Sequence, residues 1–480
     1  MKKETVRQFL TYSFGSISQS VLSFILLPLY LNLLTPSEYG IISLSLTLNV
    51  FLTVVANVGL VSGLYRLYYE KTAEERKALL GTLWGWHLFA SAILCLALII
   101  FSTPVAIHIF KTTRWVGTPR LLGIFLVLYV LKDVPFHMLR LEKKAALYVF
   151  FSLMTFVLDF SFKLIFVGVL RRGVNGYFES SILAYLITVT GLFVYSKKYV
   201  SFSFDKSCLG ELFRLGFPYV FSTLSFIVLD SFDKFTLNHY LGTEAVGVYS
   251  LAFRFANLLN IVLLTPIGLY WTPLSFSFAA ERKNDEELKN FYAKSLLYFF
   301  LAGGILAAFV STGSFEVIRA MTHNATFWKA GKIVPLLVVA PFLYLVSHPA
   351  GNVMLQVKKT GFVAPACLAT AAINIVLNLI LIPRLHAYGA ALALISAHLF
   401  LAVSYHIKAR SLFPINYTWG KYLLAFAVCL IAFGASSLVP PLSPIPSLIL
   451  KFAIVTIICA PLVSVSGVLK GLKIPGIRGD

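Results

Sequence analysis

The chain has 480 residues, 58% of them hydrophobic and only 12% charged, with a formal net charge of +20. Soluble domains run to roughly 45–50% apolar and about 25% charged, so the apolar excess excludes an ordinary soluble globule and is expected to face lipid. The basic residues lie between apolar runs instead of forming one patch, which excludes a nucleic-acid partner, and five singly spaced cysteines (Cys95, Cys208, Cys367, Cys429, Cys459) offer neither a disulfide framework nor metal-ligand spacing.

Residues 9–34, 39–65, 79–110, 295–315, 333–357, 385–407, 422–450 and 452–469 each lack Lys, Arg, Asp and Glu. Each reaches or approaches the ~20 residues that a spanning helix needs. With the less clean segments included, the pattern predicts about fourteen transmembrane helices. With the N-terminus placed in the cytoplasm and sides alternating, inside loops hold roughly three times as many Lys and Arg as outside loops. Both termini are therefore expected to be cytoplasmic. Met1-Lys2-Lys3 precedes an apolar run too long for a signal peptide and without a small-residue cleavage site, so it is read as a retained first span.

Span 1 (8–34) carries Tyr12, Ser16, Gln19, Ser20 and Ser23 on one face, with Pro28 as a kink point. Thr35-Pro-Ser-Glu-Tyr-Gly40 is a short outside turn. Span 2 (39–66) bears a ladder of Ser45, Asn49, Thr53 and Asn57, which fits either interhelical hydrogen bonding or cavity lining. A charged inside loop from Arg66 to Lys77 leads to spans 3 and 4 (79–110 and 119–140); Lys132, Asp133 and His137 near the inner end of span 4 are expected to snorkel. Span 5 (146–170) aligns Ser152, Thr155, Asp159 and Lys163 in one stripe, either a local salt bridge or a charged patch facing a cavity. Span 6 (174–196) is followed by a polar linker over 197–210.

Span 7 (212–240) and span 8 (244–275) hold the least expected charges. The runs 215–229 and 255–278 contain no charged residue, yet Asp230, Asp233, Lys234 and Arg254 lie between them. Ionisable residues at such depth are functional-site hypotheses. Span 8 groups Gly247, Ser250, Arg254 and Asn257; span 9 (295–315) is uniformly apolar, and span 10 (332–356) bears Tyr344, His348, Asn352 and Gln356. Spans 11 to 14 (362–383, 387–408, 422–440 and 445–469) complete the chain.

The halves repeat at about 205 residues: Leu34-Thr-Pro-Ser-Glu-Tyr-Gly-Ile-Ile-Ser-Leu44 aligns with Leu241-Gly-Thr-Glu-Ala-Val-Gly-Val-Tyr-Ser-Leu251, and Gly63-Leu64-Tyr65 echoes Gly268-Leu269-Tyr270. Six spans per repeat make the repeats parallel, a transporter architecture with its site between lobes. The expected fold is thus an all-α integral membrane protein with two parallel six-helix lobes around a central cavity, over 1–208 and 209–410, plus a C-terminal helix pair over 411–480.

A cavity holding Lys163, Lys234 and Arg254, with Asn57 and Asn257 beside them, would attract a phosphate-bearing ligand. A diphosphate of about −2 leaving a negative cytoplasm gains roughly 4–5 kcal/mol per 100 mV if its whole charge crosses. Asp159, Asp230 and Asp233 either balance those bases or take a coupling cation, Na+ or H+. No catalytic residue, metal or cofactor is called for. Outside loops are short and poor in acids (Glu38, Glu244, Glu316), which disfavours a membrane glycosyltransferase or polymerase.

Asp233-Lys-Phe-Thr-Leu-Asn-His-Tyr-Leu-Gly242 followed by Val246-Gly-Val-Tyr-Ser-Leu-Ala-Phe-Arg254 resembles the seventh-to-eighth-helix signature of the polysaccharide and O-antigen flippases, within the multidrug/oligosaccharidyl-lipid/polysaccharide exporter superfamily. Asn378-Leu-Ile-Leu-Ile-Pro383 with Tyr388-Gly-Ala-Ala391 resembles their eleventh-to-twelfth-helix segment, and Thr35 to Gly40 their first outside turn. The resemblance covers nearly the whole chain. It implies transfer of an undecaprenyl-diphosphate-linked oligosaccharide between leaflets of a bacterial inner membrane, beside membrane lipid and glycosyltransferase or polymerase partners. It maps the family's acidic–basic pair onto Asp233 and Lys234 and its eighth-helix arginine onto Arg254. Span 1 lacks the arginines of lipid II flippases, which favours surface polysaccharide over a peptidoglycan precursor. The rival reading is a cation-coupled multidrug exporter of the same fold, which three intramembrane bases fit poorly. A major-facilitator carrier is disfavoured because the loop after span 2 lacks Gly-x-x-x-Asp-Arg.

Overall fold

With no water to hydrogen-bond a bare backbone, a chain this apolar satisfies its peptide groups within helices. The computed structural model describes residues 24–465 apart from 202–203, 282–283, 416, 418 and 441–442, and helix is the only regular structure among them. The polar stripe from Tyr12 to Ser23, Arg282 and Lys283 of the charged loop, and the tail bases Lys470, Lys473 and Arg478 lie outside the described residues.

Among the described residues, eleven helices are long and apolar enough to cross a membrane. Two of these, Thr223–Ala280 and Thr360–Leu412, run to 58 and 53 residues. At 1.5 Å per residue each is about 80 Å long, more than twice the ~30 Å hydrocarbon layer. Each is broken where the sequence predicts a turn between spans, at Gly242 (φ 81°) and at His386 (φ 53°). The chain is an all-α, multi-pass membrane protein.

It divides into two compact units, Met1–Gly247 and Val248–Asp480. The first contains α1 (Leu27–Leu33), α2 (Pro36–Asn57), α3 (Leu60–Leu67), α4 (Ala73–Ile100), α5 (Ser102–His108), α6 (Gly117–Leu131), α7 (Asp133–Leu141), α8 (Ala145–Lys163), α9 (Gly173–Ser196) and most of α10 (Lys206–Ala256). The second contains α11 (Thr272–Glu281), α12 (Asp285–Met321), α13 (Ala325–Leu337), α14 (Val339–Gln356), α15 (Val363–Leu412), α16 (Trp419–Ser437) and α17 (Pro444–Val465).

Capping chemistry moves two boundaries from their predicted places. Thr35 accepts from the Glu38 backbone N–H at 3.2 Å while the Glu38 carboxylate accepts from Thr35 N–H at 3.0 Å, and Pro36 sits at the first helical position. The predicted turn over 35–40 is therefore already helix. Thr72 and Glu75 repeat the arrangement at the start of α4. Either Thr35→Ala or Thr72→Ala is expected to cost about 1 kcal/mol, seen as a thermal midpoint in detergent a few degrees below that of the unmodified chain.

The continuous span predicted over 39–66 is instead broken at Val58 (φ 47°) and Gly59 (φ 77°). A Cβ at position 59 would stand 2.1 Å from the Gly216 carbonyl oxygen, so only glycine allows that approach. The Asn57 side-chain oxygen accepts from Val61 N–H at 3.1 Å and restarts the chain as α3. Leu64, Leu83, Trp84, Met138 and Leu192 then gather α3, α4, α7 and α9 into one core of the first unit.

In the second unit, Asn284 accepts from Glu287 N–H at 2.9 Å and acids fill the first turn of α12, extending it well beyond the predicted span over 295–315. Leu297, Leu301, Tyr422 and Leu462 hold α16 and α17 against α12. Lys451 of α17 donates to buried Glu316 of α12 at 2.9 Å, with Arg319 at 3.5 Å, which satisfies a lysine lying within predicted span 14. The span-10 ladder serves the same kind of contact: Asn352 accepts from Tyr292 (2.7 Å) and Ser275 (2.9 Å).

Candidate functional site

The charge stripe on α8 turns towards α9. Thr155 donates to Thr188 at 3.1 Å. One turn on, Asp159 Oδ1 accepts from Ser181 at 2.8 Å and Oδ2 accepts from Lys163 Nζ at 2.5 Å. Lys163 is only 4% exposed, and its ammonium lies 4.1 Å from the Tyr177 ring centroid. The pair satisfies itself by helical i, i+4 spacing, and the aromatic face takes up part of the remaining charge. Lys163 is the last α-helical residue before a π-helical turn, Leu164–Val169; such turns concentrate at functional positions.

This pair opens onto a cavity of about 200 Å³ inside the first unit. Its walls include Asn49 of α2, Tyr129 of α6, Asp159 and Lys163 of α8, and Tyr177 and Tyr185 of α9. Tyr129 and Tyr185 stack at 5.9 Å, and Lys132 sits over both, 4.0 and 5.2 Å from their centroids. Lys132 therefore does not snorkel as its place near a span end predicts; two ring faces stabilise the ammonium without full hydration. Asn49 is 2% exposed, yet its side-chain oxygen has no hydrogen-bond partner among the described residues. A buried acceptor left unmade costs roughly 1–3 kcal/mol, which a donor entering the cavity would recover.

The other sequence-predicted positions are placed as follows. Asp233 is fully buried and accepts from the Lys234 backbone N–H at 2.7 Å, and Lys234 Nζ reaches the Asp230 carbonyl oxygen at 3.4 Å. Asp230 itself is exposed and Lys234 half-buried. Asn57 is the link into α3 described above. In the second unit, Arg254 is half-buried and Asn257 accepts from the Asn260 amide at 2.6 Å. The structure thus joins Asp159 to Lys163 directly, and sets Asp230, Asp233 and Lys234 on neighbouring turns of α10.

Sequence reasoning missed the aromatic walls. Tyr177, Ser181 and Tyr185 do recur every four residues on α9, as do Phe125 and Tyr129 on α6, which places each set on one helix face. That spacing was the available signal. What the arrangement offers chemically is a small pocket with polar walls in an apolar protein: one lysine held near a carboxylate, ring faces for the apolar side of a sugar or an organic group, and Asn and Ser groups for its hydroxyls.

Over 252 residues the chain is 23% identical to the succinoglycan biosynthesis transport protein ExoT of Rhizobium meliloti (strain 1021), covering 51% of this chain and 48% of that relative. The chain thus matches about half the length of that curated protein. The solved structure titled lipid II flippase MurJ, inward closed conformation, superposes with a TM-score of 0.69 at 15% identity, over 98% of this chain and 99% of that one. An inward-facing multidrug resistance MATE family transporter of the MOP superfamily superposes with a TM-score of 0.63 at 18% identity, over 85% and 94%. At such identities the likeness is one of fold. Residues 32–321, more than half of the sequence, match the family described as polysaccharide biosynthesis protein, and the chain belongs to that family.

Proposed function

We propose that the chain is a carrier that moves a lipid-diphosphate-linked oligosaccharide from the cytoplasmic to the outer leaflet of a bacterial inner membrane by alternating access, with both termini in the cytoplasm. The observation that supports this most is the buried Asp159–Lys163 pair opening onto a tyrosine-lined cavity within apolar helices. An ion pair is expensive in lipid and is kept where it meets something polar. Lys163 is assigned to the phosphate or sugar of the headgroup, and Lys234 and Arg254 to further contacts with it. Asp159, Asp230 and Asp233 balance these bases or take a coupling Na+ or H+. Family membership and the succinoglycan relative's role as a biosynthesis transport protein favour a surface polysaccharide.

The test is transport of a fluorescent lipid-linked saccharide by the purified chain in vesicles, read by quenching from outside. Movement of the labelled sugar above that of empty vesicles is the expected result. Accumulation of organic cations without sugar movement would replace this reading with the multidrug exporter, whose fold the chain shares.

A further inference from the structure

A second cavity of the first unit has the opposite chemistry. It is a groove of about 340 Å³ between α4, α6 and α9, lined by Gly81, Gly85 and Leu88 on one side and Thr190 and Phe193 on the other, with Trp84 behind. No wall residue is charged. Trp84 hides its one polar group by donating to the Leu131 carbonyl at 2.9 Å, and its ring packs on Phe193 at 5.3 Å. Leu88, Phe193 and Phe204 remain exposed, so the groove opens at the surface of the protein.

One end of this groove is basic. Lys77 stands one turn before Gly81 on α4, and Lys197, the residue that caps the C-terminus of α9, lies four residues beyond Phe193. Both belong to the same end, because Ser201 N–H, just past α9, donates to the Lys77 carbonyl at 3.0 Å. Lys77 also pairs with Glu74 at 2.9 Å, while Lys197 is exposed. Lys198 and Lys206 add positive charge nearby in the chain, against Glu74, Glu75 and Asp205; the Glu75 carboxylate is engaged with Thr72 and the Asp205 carboxylate with the backbone N–H groups of Ser207 and Cys208. Apolar wall and cationic end together match an amphiphile with an acyl chain and a negative head.

We propose that this groove is a binding site for one anionic glycerophospholipid, its acyl chain lying against Trp84, Gly85 and Phe193 and its phosphate held by Lys77 and Lys197. The site shares no residue with the Asp159–Lys163 cavity, and binding here does not depend on what the protein transports. The full chain in nanodiscs of phosphatidylcholine doped with a photoreactive phosphatidylglycerol is expected to label peptides of α4 and α9. Thr190→Trp, an exposed position, would fill the groove and remove the labelling. Lys77→Gln with Lys197→Gln would weaken it about tenfold or more while the thermal midpoint stays unchanged. Equal labelling by a photoreactive phosphatidylcholine, or labelling that survives both variants, would overturn the proposal.

Discussion

Lys163→Gln is expected to lower transport of the labelled lipid-linked saccharide by more than tenfold, about 1.4 kcal/mol or more in the barrier, with the protein still folded. Glutamine is one bond shorter than lysine, but with Ser181 it can still donate to the Asp159 carboxylate, which is less deeply buried than Lys163, so the cavity keeps most of its shape but loses its cation. Asp159→Asn behaves differently. It leaves the Lys163 charge in an apolar interior with ring faces such as Tyr177 but no carboxylate beside it, and breaking one partner of a buried pair costs about 3–5 kcal/mol. That variant should be poorly folded as well as inactive. The double variant Asp159→Asn with Lys163→Gln should recover most of the thermal midpoint, because no buried charge remains, and recover none of the transport. A double variant that transports like the unmodified chain would show that the pair is only a structural tie.

The second large effect concerns glycine. Gly40 of α2 and Gly247 of α10 press backbone against backbone. A Cβ at Gly40 would lie 1.9 Å from the Thr243 carbonyl oxygen, and one at Gly247 would lie 1.9 Å from the Pro36 carbonyl oxygen. Ser37 and Thr243 join their hydroxyls beside the crossing at 2.6 Å. Close approach of small residues is how helices gain packing in lipid, where no hydrophobic force drives them together. Neither carbonyl belongs to a side chain that can turn aside. Gly40→Ala or Gly247→Ala should therefore cost about 3 kcal/mol or more, the upper end for overpacking, and most of the folded protein should be lost from the monodisperse peak in size-exclusion chromatography. Gly420→Ala, where nothing lies within 4 Å, is the control and should leave the peak unchanged.

The two glycines also show how far a sequence can be read. Aligning 34–44 with 241–251 puts Gly40 opposite Gly247, and the alignment says only that both positions are alike. That the two touch each other is a fact of packing: each takes the other's helix as its neighbour. The break at Val58 and Gly59 was hidden for a related reason. Apolar composition continues through it, and the close approach of the distant Gly216 carbonyl at the break is something no local pattern records.

What the sequence determined by itself follows from rules of short range. Apolar runs of bilayer length dictated helices and a membrane, since unpaired peptide groups are not tolerated in lipid. Spacing of four placed Asp159 beside Lys163. Tertiary structure alone decided that this pair opens onto a cavity, that tyrosines of α6 and α9 form its walls, and that Lys132 rests on their rings rather than reaching for water. Apart from Lys132 over Tyr129, three residues away, those contacts join residues far apart in the chain. Their energy depends on which helix faces are brought together, and the order of residues along any one helix does not contain that information.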